Sequence, residues 1–148
     1  MTTATDRFVA EQYLSNDGLL DQFMPVSQRF ALKELINGEE GEFFVQKVLE
    51  LAKTIRDMPK TYETEDTAGD DKIAHLHYFY GGVDAWIVEK DAGDGTPDTR
   101  QHQAYGKITL FGGGIEEAEW GYISIQELIE NGVELDLHWT PKQMKEIR

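Results

Sequence analysis

His75 and His77 stand two residues apart in Ile73–Tyr80, a run whose side chains alternate in character. On a strand that spacing points both imidazoles to one face. Two imidazoles on one face can share a metal ion, with a third ligand drawn from His102, His138 or the carboxylates of Asp91 and Asp94. The same pattern also suits a polar sheet face, or histidines packed beside aromatics. Asp91, Asp94 and Asp98 lie among Gly93 and Gly95 and suggest a cation loop. Their spacing departs from the EF-hand, which needs acids at alternate positions and a closing Glu, and Pro97 fits an ordinary solvated loop. Gly112-Gly113-Gly114 lacks the Lys-Ser/Thr of a phosphate loop, and Glu116 and Glu117 follow it, where they would repel phosphate.

Paired carboxylates for acid–base work could come from Glu89, Glu116, Glu117 and Glu119. In a chain with 28 Asp and Glu their presence is uninformative. The 148 residues include no cysteine, which excludes disulfides, thiolate nucleophiles and Cys-bound zinc. No Ser-His-Asp arrangement stands out, and no cofactor is expected. The aromatic set is more distinctive. Trp86, Trp120, Trp139, Tyr78, Tyr80, Tyr105 and Tyr122 crowd the second half. Such residues fill cores by cross-strand pairing, or they anchor partners. An exposed patch of Trp86, Trp120 and Tyr122, rimmed by Glu116, Glu117 and Glu119, would suit a basic protein partner.

The elements that must position these residues fall into two parts. Residues 1–66 read as helical. Asp6–Leu14 carries an apolar stripe of Phe8, Val9, Tyr13 and Leu14. A patch of Leu19, Leu20, Phe23 and Met24 is stopped by Pro25. Ser27–Ile36 points Phe30, Ala31, Leu32, Leu35 and Ile36 inward. Glu40–Met58 has apolar residues at spacings of three and four, Phe43, Phe44, Val48, Leu51, Ala52 and Ile55, and ends at Pro59. Lys60–Lys72 is polar and reads as a linker. From Ile73 the period becomes two. Ile73–Tyr80, Ala85–Lys90, Ala104–Phe111 and Trp120–Ile123 make an antiparallel meander, with Gly81-Gly82 as the first turn. Ser124 opens a short helix to Glu130 through a capping-box pattern, and Asn131-Gly132 closes it. Leu135–Trp139 is a further extended segment, and Thr140-Pro141 starts a terminal helix through Ile147. The expected fold is therefore α+β, a single domain over 1–148: N-terminal helices packed on an antiparallel sheet of about four strands, with short C-terminal helices.

The net charge is −14. It is spread along the chain, with 7 basic and 13 acidic residues in Met1–Asp66 and 7 and 15 in Thr67–Arg148. A surface this negative repels phosphate backbones, so direct nucleic-acid binding is not expected. It serves solubility, or it attracts basic proteins or imitates DNA. The N-terminus lacks the basic and apolar regions of a signal peptide, and no apolar run approaches the roughly 20 residues of a membrane span. A cytoplasmic protein without membrane contact is the expectation.

The stretch His75-Leu76-His77-Tyr78-Phe79, Trp86–Asp91, Tyr105–Leu110 and Glu119-Trp120-Gly121-Tyr122-Ile123-Ser124-Ile125-Gln126-Glu127-Leu128 resembles the DUF2958 type of domain. The closing Leu135-Asp136-Leu137-His138-Trp139-Thr140-Pro141 is also similar to that family's end. The resemblance covers about half the chain, from Ile73 onward. It implies a phage or plasmid setting, sometimes inside large polyvalent proteins, and it supplies no catalytic residues. The function expected is a non-enzymatic protein-interaction module of mobile-element origin, suited to counter-defence against a basic or nucleic-acid-binding protein. The alternative is a small metal-dependent enzyme or metal-binding protein that uses the face of His75 and His77.

Overall fold

A computed structural model describes residues 2–93 and 100–148. The first helix, α1 (Ala4–Leu14), starts two residues before the sequence suggests, because Thr3 caps it. The Thr3 hydroxyl accepts from the Asp6 N–H at 3.0 Å, and the Asp6 carboxylate accepts from the Thr3 N–H at 3.0 Å. Pro25 precedes α2 (Val26–Ile36). A turn then leads into α3 (Gly41–Asp57). A side chain at Gly41 would put its Cβ 2.1 Å from the Ile36 carbonyl, so only glycine allows α3 to begin so close to the end of α2.

The inward stripe of α2 differs from the expected one. Arg29, Leu32 and Ile36 are buried, while Phe30 and Leu35 are 64% and 43% exposed. The reason is that Arg29 finds every partner it needs inside. Its guanidinium donates to the Leu14 carbonyl at 3.0 Å and to the Asp21 carboxylate at 2.9 Å. Asp21 also holds Arg100, 2.9 Å away, so one carboxylate ties the helices to the chain that enters the sheet. Phe8 and Phe43 likewise face outward. Val45, Val48, Ala52 and Ile55 supply the inward stripe of α3.

Among the described residues seven strands follow α3. The stretch Ile73–Tyr80 is not one strand but two, β1 (Ile73–Ala74) and β2 (Leu76–Tyr80), broken at His75. Next come β3 (Val83–Glu89), β4 (Ala104–Thr109) and β5 (Glu119–Ile123). They are followed by the helix α4 (Ile125–Glu130), β6 (Glu134–Leu135) and β7 (Lys142–Gln143). The main sheet has the order β5-β4-β3-β2-β6, every neighbour antiparallel, and β1 pairs with β7 apart from it. The expected terminal helix is therefore β7 and a single 3-10 turn, Met144–Glu146. A helix of seven residues is too short to persist alone, and here the segment gains more by pairing with β1 and burying Met144.

The two faces of the sheet bury different things. Leu76, Tyr78, Ile87 and Ile123 join Leu14, Ile36, Val48 and Ile55 of the helices in one continuous core. Trp86, Val88, Ala74 and Met144 form a smaller core on the opposite side, against Tyr105, Trp120 and Trp139. The stretch 60–72 is no linker. Lys60 pairs with Lys90, and the Thr61 N–H donates to the Lys90 carbonyl at 2.8 Å, so the chain beyond α3 is laid along the end of β3. No helix is long and apolar enough to cross a membrane among the described residues.

Candidate functional site

The register between β3 and β4 shifts between Ile87 and Glu89, and this irregularity pairs Glu89 with Tyr105. Glu89 is 3% exposed. A carboxylate so deeply buried needs compensation. It receives three neutral donors from the 60–72 segment. The Tyr62 N–H donates at 2.8 Å, the Thr64 N–H at 3.1 Å, and the Thr64 hydroxyl also donates. Among the described residues Glu89 has no ion pair.

The same clamp holds Tyr62 at φ 76°, in the left-handed region that a bulky side chain avoids. Such a conformation costs of order 1–3 kcal/mol and persists only where its surroundings impose it. The result is that the Tyr62 ring stands over the sheet, 6.3 Å from that of Tyr122 at an angle of 72°. The Tyr122 hydroxyl donates to that of Tyr62 at 2.9 Å. This bond favours the protonated phenol and raises the Tyr122 pKa above the ordinary value of 10.0. Tyr122 meets Tyr105 edge to face at 5.6 Å. Tyr105 stacks on Trp120 at 5.6 Å, and the Lys107 ammonium lies 5.4 Å over the Trp120 ring.

Three tyrosines thus wall a cleft of about 390 Å³. Glu89 and Glu65 bring carboxylates to it, and Thr67 and Lys72 complete the lining. The Lys72 ammonium is already engaged with Thr64, whose hydroxyl it reaches at 2.7 Å. Tyrosine faces carry negative potential, and the glutamates outnumber the single lysine, so the cleft favours a cation with apolar flanks.

The residues singled out in the sequence are distributed differently. Tyr122 is 54% exposed at the cleft mouth. Trp120 is partly buried behind Tyr105. Trp86 is buried at 5% exposure in the smaller core and offers no surface. Glu116 and Glu117 sit in a 3-10 turn (Gly114–Glu117), and Glu119 is exposed on β5.

His75 and His77 are not brought onto one centre. Both ring nitrogens of His77 face carboxylates, Nδ1 at 3.0 Å from Asp136 and Nε2 at 2.9 Å from Asp84. The ring stacks with Trp86 at 5.2 Å and Phe79 at 5.8 Å, and Trp139 leans on it at 5.1 Å. His75 instead lines a groove between α3 and residues 136–141, where burial lowers its pKa. No group of three His, Cys, Asp or Glu that could hold a metal occurs among the described residues. Of the suspected cation loop, Asp94, Gly95, Pro97 and Asp98 lie outside the described residues. Asp91 spends its carboxylate on the N–H groups of Gly93, His102 and Gln103, at 2.8, 3.1 and 3.0 Å.

No family model matches this chain, and neither the curated proteins nor the solved structures yield a match. The site therefore stands on its own geometry. Sequence reasoning missed Tyr62, Lys72 and the role of Glu89. One signal was present: Tyr62 is the lone aromatic residue in the polar run from Lys60 to Lys72.

Proposed function

We propose that this chain is a non-enzymatic protein-interaction module whose recognition site is the tyrosine cleft, and that its partner is a basic protein. The observation that carries the reading is Glu89, a buried carboxylate answered only by neutral donors, at the base of a wall of three tyrosines. The partner supplies a cation to a cleft whose own lysine, Lys72, spends its ammonium on Thr64. A net charge of −14 steers a basic protein to the surface from a distance. The resemblance of Ile73 onward to the DUF2958 type implies a mobile-element setting, and in such a setting a nucleic-acid-binding defence protein would be the natural basic target.

The test is capture from a cell lysate at moderate salt, with the native chain and the Tyr122→Ala and Glu65→Gln variants immobilised in parallel. Both altered residues are exposed, so the fold tolerates the changes. Basic proteins retained by the native chain and lost from both variants support the reading. An identical set on all three surfaces removes it.

A further inference from the structure

The cleft opens beside the edge of the main sheet, and that edge is free. β5 pairs only with β4, and among the described residues no other backbone or side-chain group bonds to the backbone of Glu119–Ile123. Proteins commonly blunt such an edge with a proline, a bulge or a covering segment. β5 has no proline, and its register with β4 is unbroken over five residue pairs, from Ala104↔Ile123 to Ile108↔Glu119. Gly121 sits in its middle, with nothing within 4 Å of the Cβ it lacks. A glycine inside a strand often marks the close approach of another backbone.

The side chains of β5 tell the two sides apart. Ile123 is buried in the core beneath the helices. Trp120 and Tyr122 stand on the opposite face, where Tyr122 forms the mouth of the cleft. A strand added beyond β5 would place alternate side chains on the cleft side, beside Tyr122.

We infer that β5 is a docking edge: an extended segment of a basic protein pairs with Glu119–Ile123 as a sixth strand and seats one arginine or lysine side chain in the tyrosine cleft. This rests on the cleft reading above and adds the mode of binding. Main-chain hydrogen bonds hold the segment, and the pocket selects the side chain. Charge selects a foreign strand over a second copy of this chain. Two copies paired edge to edge would each bring a net charge of −14 and repel one another, whereas a basic segment is attracted.

The experiment uses the full chain, isotope-labelled, and follows its amide signals during titration with short synthetic peptides. The first is acetyl-Val-Thr-Arg-Thr-Val-amide. The second carries citrulline in place of arginine, which keeps shape and removes charge. Two more are N-methylated at alternate residues, in the two possible phases, so that in one of them the pairing edge is blocked. Binding of the first peptide at millimolar concentration, with shifts centred on Glu119–Ile123 and the tyrosines of the cleft, is the expected result. Citrulline should weaken it about tenfold, as loss of a partly desolvated cation–π contact implies. One methylated phase should abolish it and the other leave it.

Binding that needs arginine but ignores both methylation patterns overturns the edge and leaves the cleft intact. Binding unaffected by citrulline overturns the seating of a cation. No shift at β5 with any peptide overturns the inference. Sedimentation of the free chain as a dimer, abolished by Gly121→Pro, would show instead that the edge serves a second copy.

Discussion

Tyr62 carries backbone strain for the sake of where its ring stands. Replacing it with glycine relieves a left-handed conformation worth about 1–2 kcal/mol to a residue with a Cβ and removes a ring that is 56% exposed. Tyr62→Gly is therefore expected to keep or raise the melting temperature, followed by circular dichroism, while it abolishes binding of a basic peptide. A fall of several degrees would mean that the ring is structural. His77 is the opposite case. Its ring is enclosed by Phe79, Trp86 and Trp139 and bonded at both nitrogens. His77→Ala takes the imidazole from Asp84 and Asp136, leaving Asp136 only the His138 N–H, and is expected to cost about 2–4 kcal/mol in urea unfolding. Because both nitrogens are engaged, zinc at equimolar concentration should leave the melting temperature of the native chain unchanged. His75 governs a different response. Its folded-state pKa is lowered from 6.5 by burial, so below pH 6.5 the unfolded chain takes up the proton more readily than the native one. Stability from this group is complete above 6.5 and is lost as the pH falls from there. A thermal series from pH 7.5 to 5.5 should show that loss, and His75→Gln should flatten it.

At the scale of elements, α3 was legible because its stripe of Val48, Ala52 and Ile55 repeats at three and four, and Ser124 marked α4 through its cap on the Glu127 N–H. The hydrophobic pattern could not orient α2. Arg29 looks like a surface residue until the Leu14 carbonyl and Asp21 are placed around it, and both lie in other segments. The last nine residues carry a sound helix-start signal, Thr140-Pro141, that is overruled by pairing with β1. The cleft was hidden for the same reason. Glu89 and Tyr62 are 27 residues apart, and nothing local announces that one clamps the other. Their partnership predicts that Glu89→Gln, which keeps acceptor capacity on one atom only, destabilises by about 1–3 kcal/mol. It should also increase amide exchange at Tyr62 and Thr64 in particular.

For the molecule as a whole, 28 acids against 14 bases make the compact state repel itself. Raising monovalent salt from 20 to 300 mM shortens the Debye length from about 20 Å to below 8 Å and should raise the melting temperature, while the same salt weakens capture of a basic partner. Opposite signs for folding and binding in one buffer series separate self-repulsion from recognition.

The tryptophans make that series readable without a label. Trp86, buried, and Trp139, half-buried, lie against His77, and neither lines the cleft. Trp120 alone is stacked on a wall of the cleft, through Tyr105. A guest seated among the tyrosines would perturb the emission of one indole and spare the other two, so native fluorescence should report occupancy, and Trp120→Phe should silence it.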